Sequence, residues 1–256
     1  MSVAIITGAG GGIGRAAALE LAQLGYHIVL AGRTLADLDS VADEIKRVGV
    51  EALVIPTDVT KADHVEKTVT RTLETWGEIN AVINCAGHAP MVPTHEIAVD
   101  QWHRILDTNL SAAFYLIRAV WPHMQRQHYN YIAEHRDKHG AAHLPRDVTT
   151  GGVIVNISSM SSKDPFPGLG AYGAAKAALN MLTYAIAREG EPIGIRALAI
   201  APAAVETRMF RAMFDTDQVP PEEVLTPDEV AEVIGEFVKG TLRYASGETI
   251  FIHRRL

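Results

Sequence analysis

The sequence predicts a doubly wound α/β fold built on a mostly parallel sheet of seven strands, and three observations predict it. Short apolar, β-branched runs alternate with longer amphipathic segments along the whole chain, which is the order a parallel sheet needs because each strand is reached through a crossover helix. The first run, Val3 to Ile6, passes straight into the glycine-rich turn Thr7 to Gly14 and then into a helical segment. A later run, Val153 to Ile157, ends on Ser158 and Ser159, crosses a loop rich in Pro and Gly, and enters a helix-forming segment that carries Tyr172 and Lys176. A length of 256 residues is enough for one such domain with a sizeable core.

Composition narrows the partners. With 48% apolar and 21% charged residues the chain reads as globular rather than disordered. A formal charge of −7 gives no basic footprint for nucleic acid or an anionic membrane, so small-molecule partners are favoured. The single cysteine, Cys85, excludes an intrachain disulfide and suits a reducing compartment. The N-terminus enters an apolar strand at once, and no stretch approaches the roughly 20 apolar residues of a membrane span. The expected location is cytoplasmic.

Taken in order, the turn TGAGGGIG has the spacing T-G-x-x-x-G-x-G, with Gly8, Gly12 and Gly14 at the glycine positions. Glycines let a backbone approach a pyrophosphate, and the N-terminus of the helix from Arg15 to Leu24 supplies free N–H groups. A tight turn with no ligand is the alternative. His27 to Ala31 reads as the second strand, ending in Gly32-Arg33-Thr34. Gly32 offers no carboxylate to an adenosine ribose, whereas Arg33 offers a planar cation to a 2′-phosphate, which argues for NADP over NAD. An arginine merely solvated at the strand end is the competing reading.

Leu35 to Val48 is an amphipathic helix, Ala52 to Pro56 the third strand, and Lys61 to Thr75 the next helix. Between them Asp58 either contacts an adenine amino group or caps the helix. Asn80 to Asn84 is the fourth strand and leads into Asn84-Cys85-Ala86-Gly87, small residues that let a ligand lie close to the backbone. Asp100 to Gln125 is predicted as one long helix, bent where Pro122 removes a donor, with Asn109 in its middle.

From Gln125 to Thr150 the connection is too long for an ordinary αβ loop and reads as an insertion at about 126–150. His135, His139 and His143 recur every fourth residue there, but Gly140 interrupts the helix and no cysteine is near, so no metal site is expected. Such a connection enters the sheet at strand N-termini, away from where ligands bind, and partner contact is its expected use. Ile193 to Ala201 is the sixth strand. Met209, Phe210, Met213 and Phe214 then form an apolar helical stripe, either core or a lid over an apolar substrate. Asp228 to Lys239 is the last helix, and Thr249 to His253 the last strand.

Tyr172 and Lys176 stand one turn apart on a common helix face, where an ammonium is expected to favour the phenolate below its usual pKa of about 10. With a serine at the strand end this suggests proton transfer at a carbonyl or alcohol oxygen. No separate repeat or linker interrupts the chain.

With Gly8, Gly12, Gly14, Asn84-Cys85-Ala86-Gly87, Asn109, Ser159 and Tyr172-Gly-Ala-Ala-Lys176 in this order, the chain resembles the short-chain dehydrogenase/reductase family, with its Rossmann-type fold. The resemblance implies Tyr172 as general acid/base, Lys176 as the group that lowers its pKa and binds the nicotinamide ribose, Ser159 as the hydroxyl on the reacting oxygen, and Asn109 as the holder of a water linking Lys176 to solvent. It further implies cofactor contacts from Gly8, Gly12, Ile13, Gly14, Arg33, Thr34, Asp58 and Val59. Asn84, Ala86, Gly87, Tyr172, Lys176, Pro202, Val205 and Thr207 complete that set.

The expected activity is hydride transfer between a nicotinamide cofactor, NADP(H) favoured and NAD(H) possible, and a carbonyl or secondary alcohol. A homodimer or homotetramer is the family's expectation. A catalytically idle dinucleotide sensor or scaffold is the competing class, disfavoured because a sensor has no need of a paired phenol and ammonium. Three departures stand out: Cys85 where the family has a second asparagine, Ala203 where it has glycine after the sixth strand, and the tail His253-Arg254-Arg255-Leu256. His88, Met91, Met160, Phe166, Met209 and Phe210 are candidate pocket residues by their place after strand ends.

Overall fold

The computed structural model describes residues 2–139 and 149–254. Seven parallel strands form one sheet in the order β3-β2-β1-β4-β5-β6-β7. They are β1 (Val3–Thr7), β2 (His27–Gly32), β3 (Ala52–Pro56), β4 (Ala81–Asn84), β5 (Gly152–Ile157), β6 (Ile195–Pro202) and β7 (Thr249–Ile252). The helices between them are α1 (Gly12–Gln23), α2 (Leu35–Val48), α3 (Ala62–Trp76), α4 (Val99–Leu106), α5 (Ala112–His139), α6 (Gly170–Gly190), α7 (Arg208–Arg211) and α8 (Pro227–Lys239).

The central strands are continuously apolar because both faces of the sheet are covered. Alternation within a strand divides the core. Ala4, Ile6, Ile28 and Leu30 face α1, α2 and α8, while Val3, Ile5 and Val29 face α3, α5 and α6. Strand order reverses between β1 and β4, so a crevice opens beyond the carboxyl ends of these strands, where Thr7, Asn84 and Ile157 stand. Helix α8 begins as its sequence suggests, with Pro227 in the first turn and a reciprocal capping box between Thr226 and Glu229.

Three expectations change. The helix predicted over Asp100 to Gln125 is interrupted by a π-helical segment, Asp107–Ser111, with Asn109 inside it. The helix does not stop at Gln125: α5, with Pro122 inside it, runs on to His139, so the first half of the supposed insertion is a helical extension. There Gln127 hydrogen-bonds the backbone of Ile79 on both its N–H and its C=O, and His128 meets Thr150. Both contacts lie at the strand N-termini, opposite the crevice. His135 is stacked on Tyr131 with ring centroids 3.7 Å apart, and His143 lies outside the described residues. Among the described residues there is no group of metal-ligating side chains and no helix long and apolar enough to cross a membrane. Finally, the stripe after β6 is helical only over α7 and continues as an irregular segment to the next short turn at Pro221–Glu223.

Candidate active site

The glycine turn is shaped by contacts that tolerate no side chain. A Cβ on Gly14 would collide with the Gly8 carbonyl oxygen, and one on Gly8, whose φ is 67°, would stand 3.0 Å from the backbone of Ala86. Thr7 fixes the opposite wall. Its hydroxyl accepts from the N–H groups of Cys85 and Ala86, at 3.1 and 3.2 Å, and so ties the β4 tip to the turn. No side chain caps the N-terminus of α1 and no acidic residue lies in its first turn, which leaves its N–H groups and positive dipole end to an anion. A buried chain from Asn84 to Asn156 to Thr183, 2.8 Å at each step, locks β4, β5 and α6 together. Asn84 is thus committed to the sheet and is not among the cleft-lining residues.

Beyond the turn lies a cavity of about 520 Å³ that runs from Gly8 and Gly14 past Ala86 and Gly87 to Ser159, Tyr172 and Lys176, and on to Pro202, Val205 and Thr207. Helix α6 delivers Tyr172 and Lys176 on one face, and the end of β5 delivers Ser159. The two serines face different partners. Ser158 donates to the Lys176 carbonyl, whereas Ser159 faces the phenol and accepts from the Ser161 N–H at 3.1 Å. Because that bond uses a lone pair, it leaves the Ser159 hydrogen to donate, here toward the Tyr172 phenol.

The electrostatics differ from the sequence expectation. Tyr172 is only 7% exposed, and burial raises its pKa to about 12 although the Ser159 hydrogen bond pulls it down. Lys176 does not offset this. Its Nζ donates to the Ile157 carbonyl at 2.7 Å and stands 5.6 Å from the tyrosine ring centroid. Burial lowers Lys176 to about 8, with Cys85 opposing. The same desolvation pushes the Cys85 thiol up to about 12. The phenol therefore holds its proton at neutral pH.

Asn109, 2% exposed, clamps the loop after β4. Its amide donates to the carbonyls of His88 and Ile105, at 2.7 and 2.9 Å, and accepts from the His88 N–H at 3.2 Å. The π-helical turn is what turns this side chain inward, and such turns recur at functional sites. A Cβ on Gly87 would fall 3.2 Å from Asn109 Oδ1 and 3.9 Å from Lys176 Nζ, so the gap between these two groups exists because residue 87 has no side chain.

Other predicted positions lie outside this cavity. Arg33 and Thr34 are exposed at the end of β2, and Thr34 spends no hydroxyl bond on capping α2. Asp58 accepts from both the N–H and the hydroxyl of Thr60, which lowers its pKa; nearby Arg33 adds to that. It caps this bend, while Val59 is buried. His88 and Met91 do not line the cavity, whereas Met160, Phe166, Met209 and Phe210 do. Thr207 caps α7, accepting from the Phe210 N–H, and its methyl group packs on Gly12. Ala203 serves where glycine was expected because no non-glycine residue described has a positive φ.

Sequence reasoning missed Thr7 as a clamp and Asp164, Arg208 and Val219 as cavity residues. Only the threonine preceding the first glycine carried a signal.

A doubly wound sheet with a glycine turn and a Ser-Tyr-Lys set in one cleft defines the class, that of nucleotide-binding oxidoreductases. More narrowly, the model of the short chain dehydrogenase family matches residues 2–134 and 139–218, and the chain belongs to that family. An uncharacterized oxidoreductase of Staphylococcus aureus is 30% identical over 232 residues, 91% of this chain and 88% of the relative. The 3-oxoacyl-[acyl-carrier-protein] reductase of Staphylococcus epidermidis is 28% identical over 98% of this chain and 96% of its own.

Among solved structures, the 3-ketoacyl-(acyl-carrier-protein) reductase of Brucella melitensis, complexed with NADH, superposes with a TM-score of 0.84 at 26% identity, covering 98% of this chain and 96% of the other. An alcohol dehydrogenase of Thermococcus sibiricus, complexed with 5-hydroxy-NADP, gives 0.79 at 26% identity, covering 100% and 99%.

Proposed function

We propose that the protein interconverts a carbonyl compound and its secondary alcohol with NADP(H) as redox partner. The observation that supports this most is the placement of Ser159, Tyr172 and Lys176 in one cavity with the glycine turn. The residues present fit a nicotinamide dinucleotide. The uncapped N-terminus of α1 and the Cβ-free turn suit a pyrophosphate, Lys176 suits the nicotinamide ribose, and the cavity residues Pro202, Val205 and Thr207 would hold the nicotinamide. When bound, the cofactor supplies a hydride to the carbonyl carbon in reduction and accepts one in oxidation.

Tyr172 moves the proton. In reduction its phenol, protonated at neutral pH, gives its hydrogen to the substrate oxygen; in oxidation the phenolate takes one back. Ser159 turns its hydroxyl hydrogen from the phenol to the same substrate oxygen and orients it. Lys176, with a pKa near 8, is an ammonium at neutral pH; held on the Ile157 carbonyl it does not lower the pKa of the resting phenol, and it turns to Tyr172 only once proton donation has left a phenolate. Asn109 Oδ1 retains a lone pair on the Gly87 gap, the place for a water that passes a proton between Lys176 and solvent.

Arg33, exposed at the β2 tip with no acidic side chain at Gly32, supports NADP(H) over NAD(H) through a 2′-phosphate contact. The two nucleotide-bearing neighbours hold one cofactor type each and do not decide between them. The test is NADPH oxidation against ketones, aldehydes and quinones by wild type and Tyr172→Phe. Turnover lost in the variant supports the assignment; turnover that survives refutes it, and cofactor binding without turnover on a broad panel favours a sensor.

A further inference from the structure

The substrate half of the cleft has a composition that selects among carbonyl compounds. Two segments far apart in sequence face each other across it, the loop after β5 and the segment after β6, and they meet through aromatic rings. Phe166 stands edge-on to Phe214, centroids 5.3 Å apart and planes at 89°. Phe214 in turn lies 5.3 Å from Phe210, tilted by 33°. This wall is not consumed in the core, since Phe166 remains 54% and Met209 40% exposed. It presents ring edges and faces to whatever lies over Tyr172.

The charges point the same way. Both arginines of α7 are occupied: Arg208 reaches Asp37 at 3.2 Å, and Arg211 is held by Glu206 and by the carbonyls of Asp215 and Val219. Lys176 is bound to the Ile157 carbonyl on the cleft floor, and Lys163 is turned over the Phe251 ring. Asp164, in the same lining, is an exposed carboxylate with no ion-pair partner among the described residues.

We propose that the site takes a neutral, ring-bearing ketone, or the matching secondary alcohol, and that Asp164 excludes carbonyl compounds that carry a carboxylate or phosphate. This rests on the carbonyl–alcohol reading above and narrows it. Rings dock on rings in edge-to-face and offset geometries, and a rigid ligand loses little conformational freedom on binding. An anionic substrate meets this unpaired carboxylate, while the two α7 arginines are already paired with carboxylates and the Lys176 ammonium is held down on the cleft floor against the Ile157 carbonyl.

The test uses the protein with NADPH and three ketones: α-tetralone carrying a methyl ester, the same compound as the free carboxylate, and 2-butanone. The ester's kcat/KM exceeds the carboxylate's by about tenfold, and Asp164→Asn raises the carboxylate-to-ester ratio about fivefold, a charge effect that shrinks with added salt. Phe214→Ala lowers the ester-to-butanone ratio about tenfold, with Phe214→Leu between it and wild type. Equal turnover of carboxylate and ester, a ratio unmoved by Asp164→Asn, or butanone preferred over both tetralones overturns the proposal and leaves the carbonyl–alcohol reading standing. Absence of NADPH oxidation with every carbonyl compound overturns both.

Discussion

Replacing Lys176 with methionine separates the functional worth of a buried ammonium from its structural cost. Lys176 is 3% exposed, and its pKa falls from 10.5 to about 8 through desolvation. Below pH 8 the native state carries a charge that the unfolded chain holds more comfortably in water. Between about 8 and 10.5 the unfolded lysine remains protonated while the native one does not, so unfolding free energy rises with pH. This contribution is complete above 10.5 and is lost as pH falls through 8. From pH 7 to pH 9.5 it amounts to about 2 kcal/mol.

Tyr172 and Cys85, whose pKa values are raised, act in the opposite sense at higher pH, but they are present in both proteins and largely cancel in the comparison. Urea unfolding of cofactor-free wild type and Lys176→Met across this range should therefore show curves that diverge by about 2 kcal/mol as pH rises, wild type gaining relative to the variant. Parallel curves would refute the assignment of a depressed lysine pKa.

Three further outcomes follow from single contacts. Arg33→Ala should weaken NADPH about 10- to 100-fold while NADH changes little, measured as dissociation constants by cofactor fluorescence; equal weakening would remove the phosphate contact from the account. Gly14→Ala places a methyl group against the Gly8 carbonyl oxygen and should cost about 3 kcal/mol in denaturant unfolding. Asn109→Leu strips the partners from the backbone N–H and C=O of His88 and should cost about 2 to 3 kcal/mol, read the same way; a loss below about 0.5 kcal/mol would show that this clamp is not structural.

The parts of the fold set by periodicity and by glycine were readable. Short β-branched apolar runs such as Ile28 to Ala31, bounded by turn residues, read as strands covered on both faces, and Gly8, Gly12 and Gly14 occupy a turn whose contacts exclude a Cβ. The spacing of Tyr172 and Lys176 puts both on one face of α6, as helix periodicity requires, whereas Ser159 was singled out over Ser158 only through the family resemblance.

What was not legible depends on tertiary competition. The π-helical turn carries Asn109 to the His88 backbone, a partner 21 residues away that local periodicity does not reveal. The phenol's raised pKa reflects depth in the cleft, with Lys176 drawn instead to the Ile157 carbonyl. Asp164 and Val219 line the cavity only because two loops meet through Phe166 and Phe214. Asn84 read as a cleft residue until its partner Asn156 was placed beside it on the next strand.

The central claim is that Tyr172 supplies the proton that accompanies hydride transfer from the nicotinamide. Its most direct test is a single-turnover reaction with NADPH deuterated at the transferring position and a ketone substrate, followed by mass spectrometry of the alcohol. Wild type should place one deuterium on the carbinol carbon, and Tyr172→Phe, still binding NADPH, should slow that transfer by about 1,000-fold. Deuterium transfer at the wild-type rate in the variant would contradict the account.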